Sequence, residues 1–472
     1  MRVPSALFAL LPLLGHLTQA HHDAGLRNHQ PRSFKLDVRT PQLRKFFSVD
    51  GNVNAKLVKR AIKQHHQRRQ AQAVAATRDQ TAHLNLLKRA QEMEDMFHAK
   101  KARVVGRALK SGSAPVFPQE DGAWNVSVGL GPGGSQKISN LVLDTDGPKY
   151  VPRLCLSDSA NEPLKADLRF CIESMHQRLS IYAKGSPTKC NSTYDSTKSP
   201  HAIKGASYTS EDGISKGDYY QDSVTFGGLE VANQSFVSFT TTTNGENLED
   251  RMDLQIGACG FLGLGINSNP PTLVQTLISS NAIAQPLFAV SLTDTGGTVD
   301  IGAIDHSAYK GQIAWAPLLE GVNSTSWMIK TTAFTINGQP VAHEDNKIVY
   351  FQTWSPLTVI PSWLGAAIGA FVDKEKTPFY QIGCKEMEKI TFGFNIGGQT
   401  MEMPLSLFNI AYYPSEPRKC ILAIIPAEYS FAEIILGSLA MRTFYVAHSF
   451  AYGKMGPAIG VAKAKIDPLL LQ

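Results

Sequence analysis

The residues of this 472-residue chain best suited to chemistry sit in a near-repeat whose two copies differ at one decisive position. The first copy reads Leu141-Val142-Leu143-Asp144-Thr145-Asp146-Gly147, and the second Val349-Tyr350-Phe351-Gln352-Thr353-Trp354-Ser355. Each is an apolar run, then a polar residue, then Thr. Each is followed downstream by two apolar residues and a glycine, in Phe261-Leu262-Gly263 and Ile435-Leu436-Gly437. A carboxyl such as Asp144 can serve as general acid or base, and two facing carboxyls share one proton because both cannot ionise at close range. Gln352 forms hydrogen bonds but carries no transferable proton near neutrality. The repeat therefore holds one half of an acid–base couple.

This layout resembles the two lobes of the pepsin-like aspartic peptidases, in which each lobe supplies an Asp-Thr-Gly loop. The resemblance extends over most of residues 33–465. It implies a bilobal all-β acid-protease fold with a cleft between the lobes. It also implies hydrolysis without a covalent intermediate, one carboxylate activating water while its protonated partner donates to the substrate carbonyl. On this resemblance Asp144 is the retained catalytic residue and Gln352 stands at the second Asp position. Ten second-loop positions, Gln352 to Pro361, align without a gap, and Glu344 and Asp345 lie too far upstream to supply the missing acid. The first-loop match is read on through Tyr150-Val151-Pro152, with one residue deleted.

Other family positions are altered or kept. Asp146 and Trp354 replace the two loop glycines, and Gly147 replaces a Ser that orients the Asp. Ser438 stands where an acidic residue is common. Thr145 and Thr353 remain, and the resemblance implies that they lock the loops together by reciprocal hydrogen bonds. Ser207-Tyr208 with Gly217 to Gly228 resembles the hairpin flap over the substrate, Tyr208 being its tyrosine. Cys384 and Cys420 correspond to a disulfide of the second lobe. The resemblance calls for no cofactor and no metal.

These elements sit in a chain of four parts. Residues 1–20 read as a secretory signal, with Arg2, an apolar stretch Leu7 to Leu14, and a Thr18-Gln19-Ala20 cleavage site. Residues 21–113 carry a balance of +13 and residues 114–472 one of −8, inside an overall +6. A basic segment that covers an acidic body by charge complementarity fits this asymmetry better than a nucleic-acid arm. Residues 21–113 are therefore expected to be a prosegment. Its start, Ser33 to Val38, resembles the family's short strand followed by a basic helix, and Ala55 to Leu109 should be helical. Dibasic pairs, among them Lys59-Arg60 and Lys100-Lys101, suit a convertase or a solvated helix face equally. From Val116 short β-branched and aromatic runs broken by Gly, Asn, Ser and Pro predict strands. The N-terminal lobe is placed at 114–305 and the C-terminal lobe at 306–472. The interval from Asp144 to Gly263 is 119 residues against 85 from Gln352 to Gly437, and the surplus is placed around residues 155–190.

Six cysteines fit a secreted protein. Cys155, Cys171, Cys190 and Cys259 allow three pairings, with Cys155 joined to Cys171 or to Cys190 favoured by position. Sequons occur at Asn125, Asn191, Asn233 and Asn323. No later stretch reaches 18 uninterrupted apolar residues, so no membrane span is expected. The resulting expectation is a monomeric, secreted glycoprotein, catalytically inactive or severely impaired, with lysosomal delivery as the alternative destination. Its partners would be an extended polypeptide in the interlobe cleft and its own prosegment. The competing expectation is an active aspartic endopeptidase using Asp144 and an unidentified second acid. A third is a cleft blocked by Trp354.

Overall fold

The computed structural model describes 110–118, 124–145, 179–209, 215–242, 258–266, 270–319, 327–342, 347–373, 379–413, 415–427 and 433–465. It gives backbone alone for Asp37–Val38, Ser48–Val49, Asn52–Val53, Lys149–Pro152 and Phe170–Glu173. The signal and the predicted prosegment helix lie outside the described residues. Of the predicted N-terminal strand, Asp37–Val38 pairs antiparallel with Tyr412 and Ala411 of the C-terminal lobe.

Strands dominate, as the broken β-branched runs predict, and they take two kinds of sequence. Strand Trp124–Leu130 alternates, with Trp124, Val126, Val128 and Leu130 all buried. Strands Leu179–Tyr182, Gly260–Gly263 and Thr358–Pro361 are buried at every position, so they do not alternate, and Ser180 and Thr358 are buried with their apolar neighbours. The first kind makes the lobe walls. The second runs through the centres of the lobes, where the functional loops begin.

Each lobe is built around the same four-strand arrangement. In the N-terminal lobe, Gln136–Asp144 lies parallel to Gly260–Gly263, with Asp144 opposite Gly263. That strand is antiparallel to Leu179–Tyr182, which in turn lies parallel to Val237 to Phe239. In the C-terminal lobe, Ile348–Phe351 lies parallel to Glu433–Leu436, with Phe351 opposite Leu436. Glu433–Leu436 is antiparallel to Thr358–Pro361, which lies parallel to Ile424–Ala427. The two lobes thus repeat one topology, and the fold is the expected bilobal all-β one.

A shared sheet joins them. Gly297–Ile301 and Leu287–Leu292 from the first lobe continue into Phe444–Ser449, Ala458–Ala464 and Tyr309–Pro317 from the second. Between Gly297–Ile301 and Tyr309–Pro317 the Asp305 N–H donates to the Tyr445 hydroxyl at 2.9 Å. Strand Gly112–Pro118 pairs with Gly297–Ile301, so Gly112 and Ser113 belong to this sheet and the 113/114 junction falls within a strand. Two disulfides tie loops to the walls, Cys190–Cys259 and Cys384–Cys420. The first removes Cys155–Cys190 from the pairings open in the sequence; Cys155 lies outside the described residues.

Candidate active site

Thr145 and Thr353 hold the two loops to each other across the lobe boundary. The Thr353 hydroxyl donates to the Leu143 carbonyl at 2.7 Å and accepts the Thr145 N–H at 3.2 Å. The Thr145 hydroxyl donates to the Phe351 carbonyl at 3.4 Å. Both threonines are completely buried. Each directly follows the residue of interest, so the lock ties together the backbone next to Asp144 and that next to Gln352. Asp144 is 0% and Gln352 3% exposed.

The strands behind the loops fix their backbones. The Leu264 N–H donates to the Asp144 carbonyl at 2.8 Å, and Trp327 Nε1 donates to the Leu264 carbonyl at 3.0 Å. In the second loop the Gln352 N–H donates to the Leu436 carbonyl at 3.0 Å and the Ser438 N–H to the Ser355 carbonyl at 2.7 Å. Gly437 is required here by contact, since a Cβ at this position would sit 2.3 Å from the Leu357 carbonyl oxygen. Trp327 was not singled out by sequence; a lone aromatic in an apolar run carries no signal of such a bond.

Tyr208, the expected flap tyrosine, lies on strand Ile203–Thr209 opposite Gly217 of strand Ser215–Phe226. Its ring packs edge-on to Tyr219 at 5.5 Å and to Phe239 at 5.7 Å. With Val142, Tyr182, Val237, Ala258 and Phe261, Tyr208 and Phe239 form a small apolar cluster separate from the main core. Trp354 packs against this cluster. A side chain of the second loop therefore reaches across the boundary to the wall that carries the flap, into the space a glycine would leave open. A large aromatic surface of this kind is costly to withdraw once packed.

The first loop differs from the sequence reading in one respect. By pairing, the counterpart of Thr358–Pro361 is Leu179–Tyr182, since both run antiparallel to the strand ending in the apolar-apolar-Gly element. Tyr150-Val151-Pro152 does not take this place. It belongs to Lys149–Pro152, which pairs with Phe170–Glu173 in a separate hairpin. Asp144 and Leu179 are 35 positions apart, whereas Gln352 and Thr358 are 6 apart. Most of the surplus therefore enters between Asp144 and Leu179, overlapping the predicted 155–190 and starting earlier. The resemblance of Tyr150-Val151-Pro152 misled because a short β-branched run ending in Pro has little specificity. The spacing of Leu179-Ser180-Ile181-Tyr182 carried the better signal, for counting back six positions from Leu179 reaches an acidic residue, Glu173.

The remaining predicted sites fall out as follows. Asn191 and Asn233 are exposed, Asn323 lies outside the described residues, and Asn125 is 2% exposed. Asn125 sits inside a strand, paired with Phe117 and Val142, and a glycan there has no path to solvent. In the folded protein that sequon is a core position. Asp146, Gly147, Glu344 and Asp345 also lie outside the described residues. Among the described residues, no group of three or more His, Cys, Asp or Glu could hold a metal ion, and no helix is long and apolar enough to cross a membrane.

Residues 176–464 match the eukaryotic aspartyl protease family, more than half of the chain, and the chain belongs to that family. The matched range contains Gln352 and Tyr208 and begins downstream of Asp144, in keeping with an insertion that interrupts the first loop. Secreted aspartic protease 8 of Candida albicans is 28% identical over 287 residues, covering 56% of this chain and 66% of that protein. Gastricsin of Macaca fuscata fuscata is 24% identical over 292 residues, 59% of this chain and 75% of its own length. Aspartic protease 10 of Caenorhabditis elegans is 24% identical over 383 residues, or 74% and 86%.

Proposed function

We propose that this protein is a secreted aspartic-peptidase homologue that does not hydrolyse peptides and holds extended polypeptide in its interlobe cleft. The observation that carries the reading is Gln352 at the second acid position of the sequence, in a loop that Thr353 ties to the Asp144 loop. An amide there removes the shared-proton state, and loss of general acid–base catalysis alone lowers the rate by about 10²–10⁴. Trp354 and the insertion in the first loop each add a separate obstacle, one filling space and the other displacing the loop's continuation. The flap hairpin and the strands around the cleft persist, and an extended chain could pair with such edges through its backbone. Export agrees with the predicted signal and with the named secretion of one relative. The basic segment at 21–113 would cover the acidic body until removal, and Asn191 and Asn233 are the accessible glycan sites.

The test uses secreted, prosegment-free protein and labelled decapeptides of varied sequence, followed by fluorescence anisotropy and mass spectrometry. The reading predicts peptides that bind and are recovered intact. Cleavage at acidic pH that a pepstatin-type inhibitor blocks would overturn it.

A second reading rests on Glu173. It stands six positions before Leu179, as Gln352 stands six before Thr358. On that reading Glu173, which the spacing sets at the first-lobe acid position, serves with Asp144 in an impaired but active peptidase. Residual acid cleavage abolished by Glu173→Gln as well as by Asp144→Asn would favour it.

A further inference from the structure

His448 lies in strand Phe444–Ser449 of the shared sheet, completely buried, between Phe288 on the neighbouring strand and the ring of Trp327. It stacks on Phe288 at 4.5 Å and 6° and meets Trp327 edge-on at 5.1 Å. Trp327 also packs edge-on to Phe450 at 5.1 Å. Neither ring nitrogen of His448 has a hydrogen-bond partner, and burial pushes its pKa down. An imidazole in this setting tolerates being neutral. Protonated, it would bring an unpaired charge and a second unsatisfied N–H into an aromatic box, a cost that a stacked ring does not return.

What the box supports gives this a consequence for the site. Trp327 donates to the Leu264 carbonyl, and the Leu264 N–H donates to the Asp144 carbonyl. His448, Trp327, Leu264 and Asp144 therefore form one chain of contacts from the shared sheet to the first loop. We propose that His448 is an acid-sensitive latch, holding Trp327, and through it the backbone of Asp144, while neutral, and releasing both when protonated.

The charged groups on the elements around His448 do not oppose this. Leu287–Leu292 carries no titratable residue, and Asp294 beyond its end forms an ion pair with Arg442. Lys330 of Met328–Lys330 and Lys463 of Ala458–Ala464 are exposed. Asp300 and Tyr445 lie on the sheet's other face, hydrogen-bonded to each other at 3.4 Å, with Ser113 donating to Asp300 at 2.6 Å. No carboxylate on these elements is placed to receive the imidazolium. Burial holds the His448 pKa down at about 3, against 6.5 in an open state. Each pH unit below 6.5 then shifts the ratio of released to latched protein by about tenfold.

The inference is independent of whether the site hydrolyses anything, and hydrogen exchange tests it directly. The Leu264 amide reports the latch, and the Asn395 amide, bonded to the Ala333 carbonyl at 2.9 Å in the C-terminal lobe, reports a remote site. Between pH 6.5 and 4 the protection factor of Leu264 should fall about tenfold per unit while that of Asn395 holds. In His448→Phe the fall at Leu264 should vanish. In Trp327→Phe, which lacks the indole donor, Leu264 should already be poorly protected at pH 7. Loss of protection at both amides together, or a fall at Leu264 that persists in His448→Phe, would overturn the latch. The comparison of the two amides in the unaltered protein stands even if a variant does not fold.

Discussion

The lock between the loops is asymmetric, and the asymmetry can be measured. Thr353→Val keeps the side chain's shape but deletes an oxygen that makes two buried bonds, one donated at 2.7 Å and one accepted at 3.2 Å. It strands the Leu143 carbonyl and the Thr145 N–H, and each orphaned buried group costs about 1–3 kcal/mol. A loss of about 3 kcal/mol is therefore expected. Thr145→Val deletes one bond, donated at 3.4 Å, at the outer edge of useful geometry. Its expected cost is about 1 kcal/mol. Urea unfolding followed by tryptophan fluorescence gives both values, read as midpoint shifts at constant slope. Equal losses in the two variants, or less than about 1 kcal/mol for Thr353→Val, would refute the reasoning that the loops are joined mainly through Thr353.

Three further outcomes are expected. Trp354→Gly should open the floor of the cleft and tighten binding of extended peptides, visible as a lower Kd by anisotropy, whereas Gln352→Asp alone should give no turnover because the indole and the insertion remain. Replacing Cys190 and Cys259 by Ala should cost about 4 kcal/mol in the chain-entropy account, for a loop of 69 residues, measured by the same unfolding series. Stability should fall as the pH drops, since His448 has a folded pKa depressed below its unfolded value. Its contribution is intact above about 6.5 and falls as the pH drops below it, until release of the latch frees the ring and the loss levels off. Thermal melts of the protein and of His448→Phe across that range should diverge accordingly.

Sequence made the framework legible where a pattern repeats. The two apolar-polar-Thr loops and their apolar-apolar-Gly partners announced a duplicated crossing, and the strand registers of the two lobes agree with it. The Thr145–Thr353 lock and the Cys384–Cys420 bridge followed from family resemblance. What stayed hidden depends on pairing between distant strands. The continuation of the first loop was assigned to Tyr150-Val151-Pro152 because a short apolar run near the loop looked sufficient, while sheet pairing selects Leu179–Tyr182. Asn125 looked like a surface sequon because a three-residue motif carries no information about which strand covers it. The roles of Trp327 and His448 arise from rings that meet from separate strands, and no local pattern encodes such a meeting.

The claim at the centre is that Asp144 has no partner acid able to complete peptide hydrolysis. The most direct measurement is cleavage of an unfolded protein substrate across about pH 3–6, the range suited to a carboxyl pair. Secreted, prosegment-free protein would be run beside Asp144→Asn and Glu173→Gln. The account predicts that product formation by the unaltered protein stays at the Asp144→Asn background at every pH. Cleavage above that background, lost in Asp144→Asn and stopped by a pepstatin-type inhibitor, would contradict it.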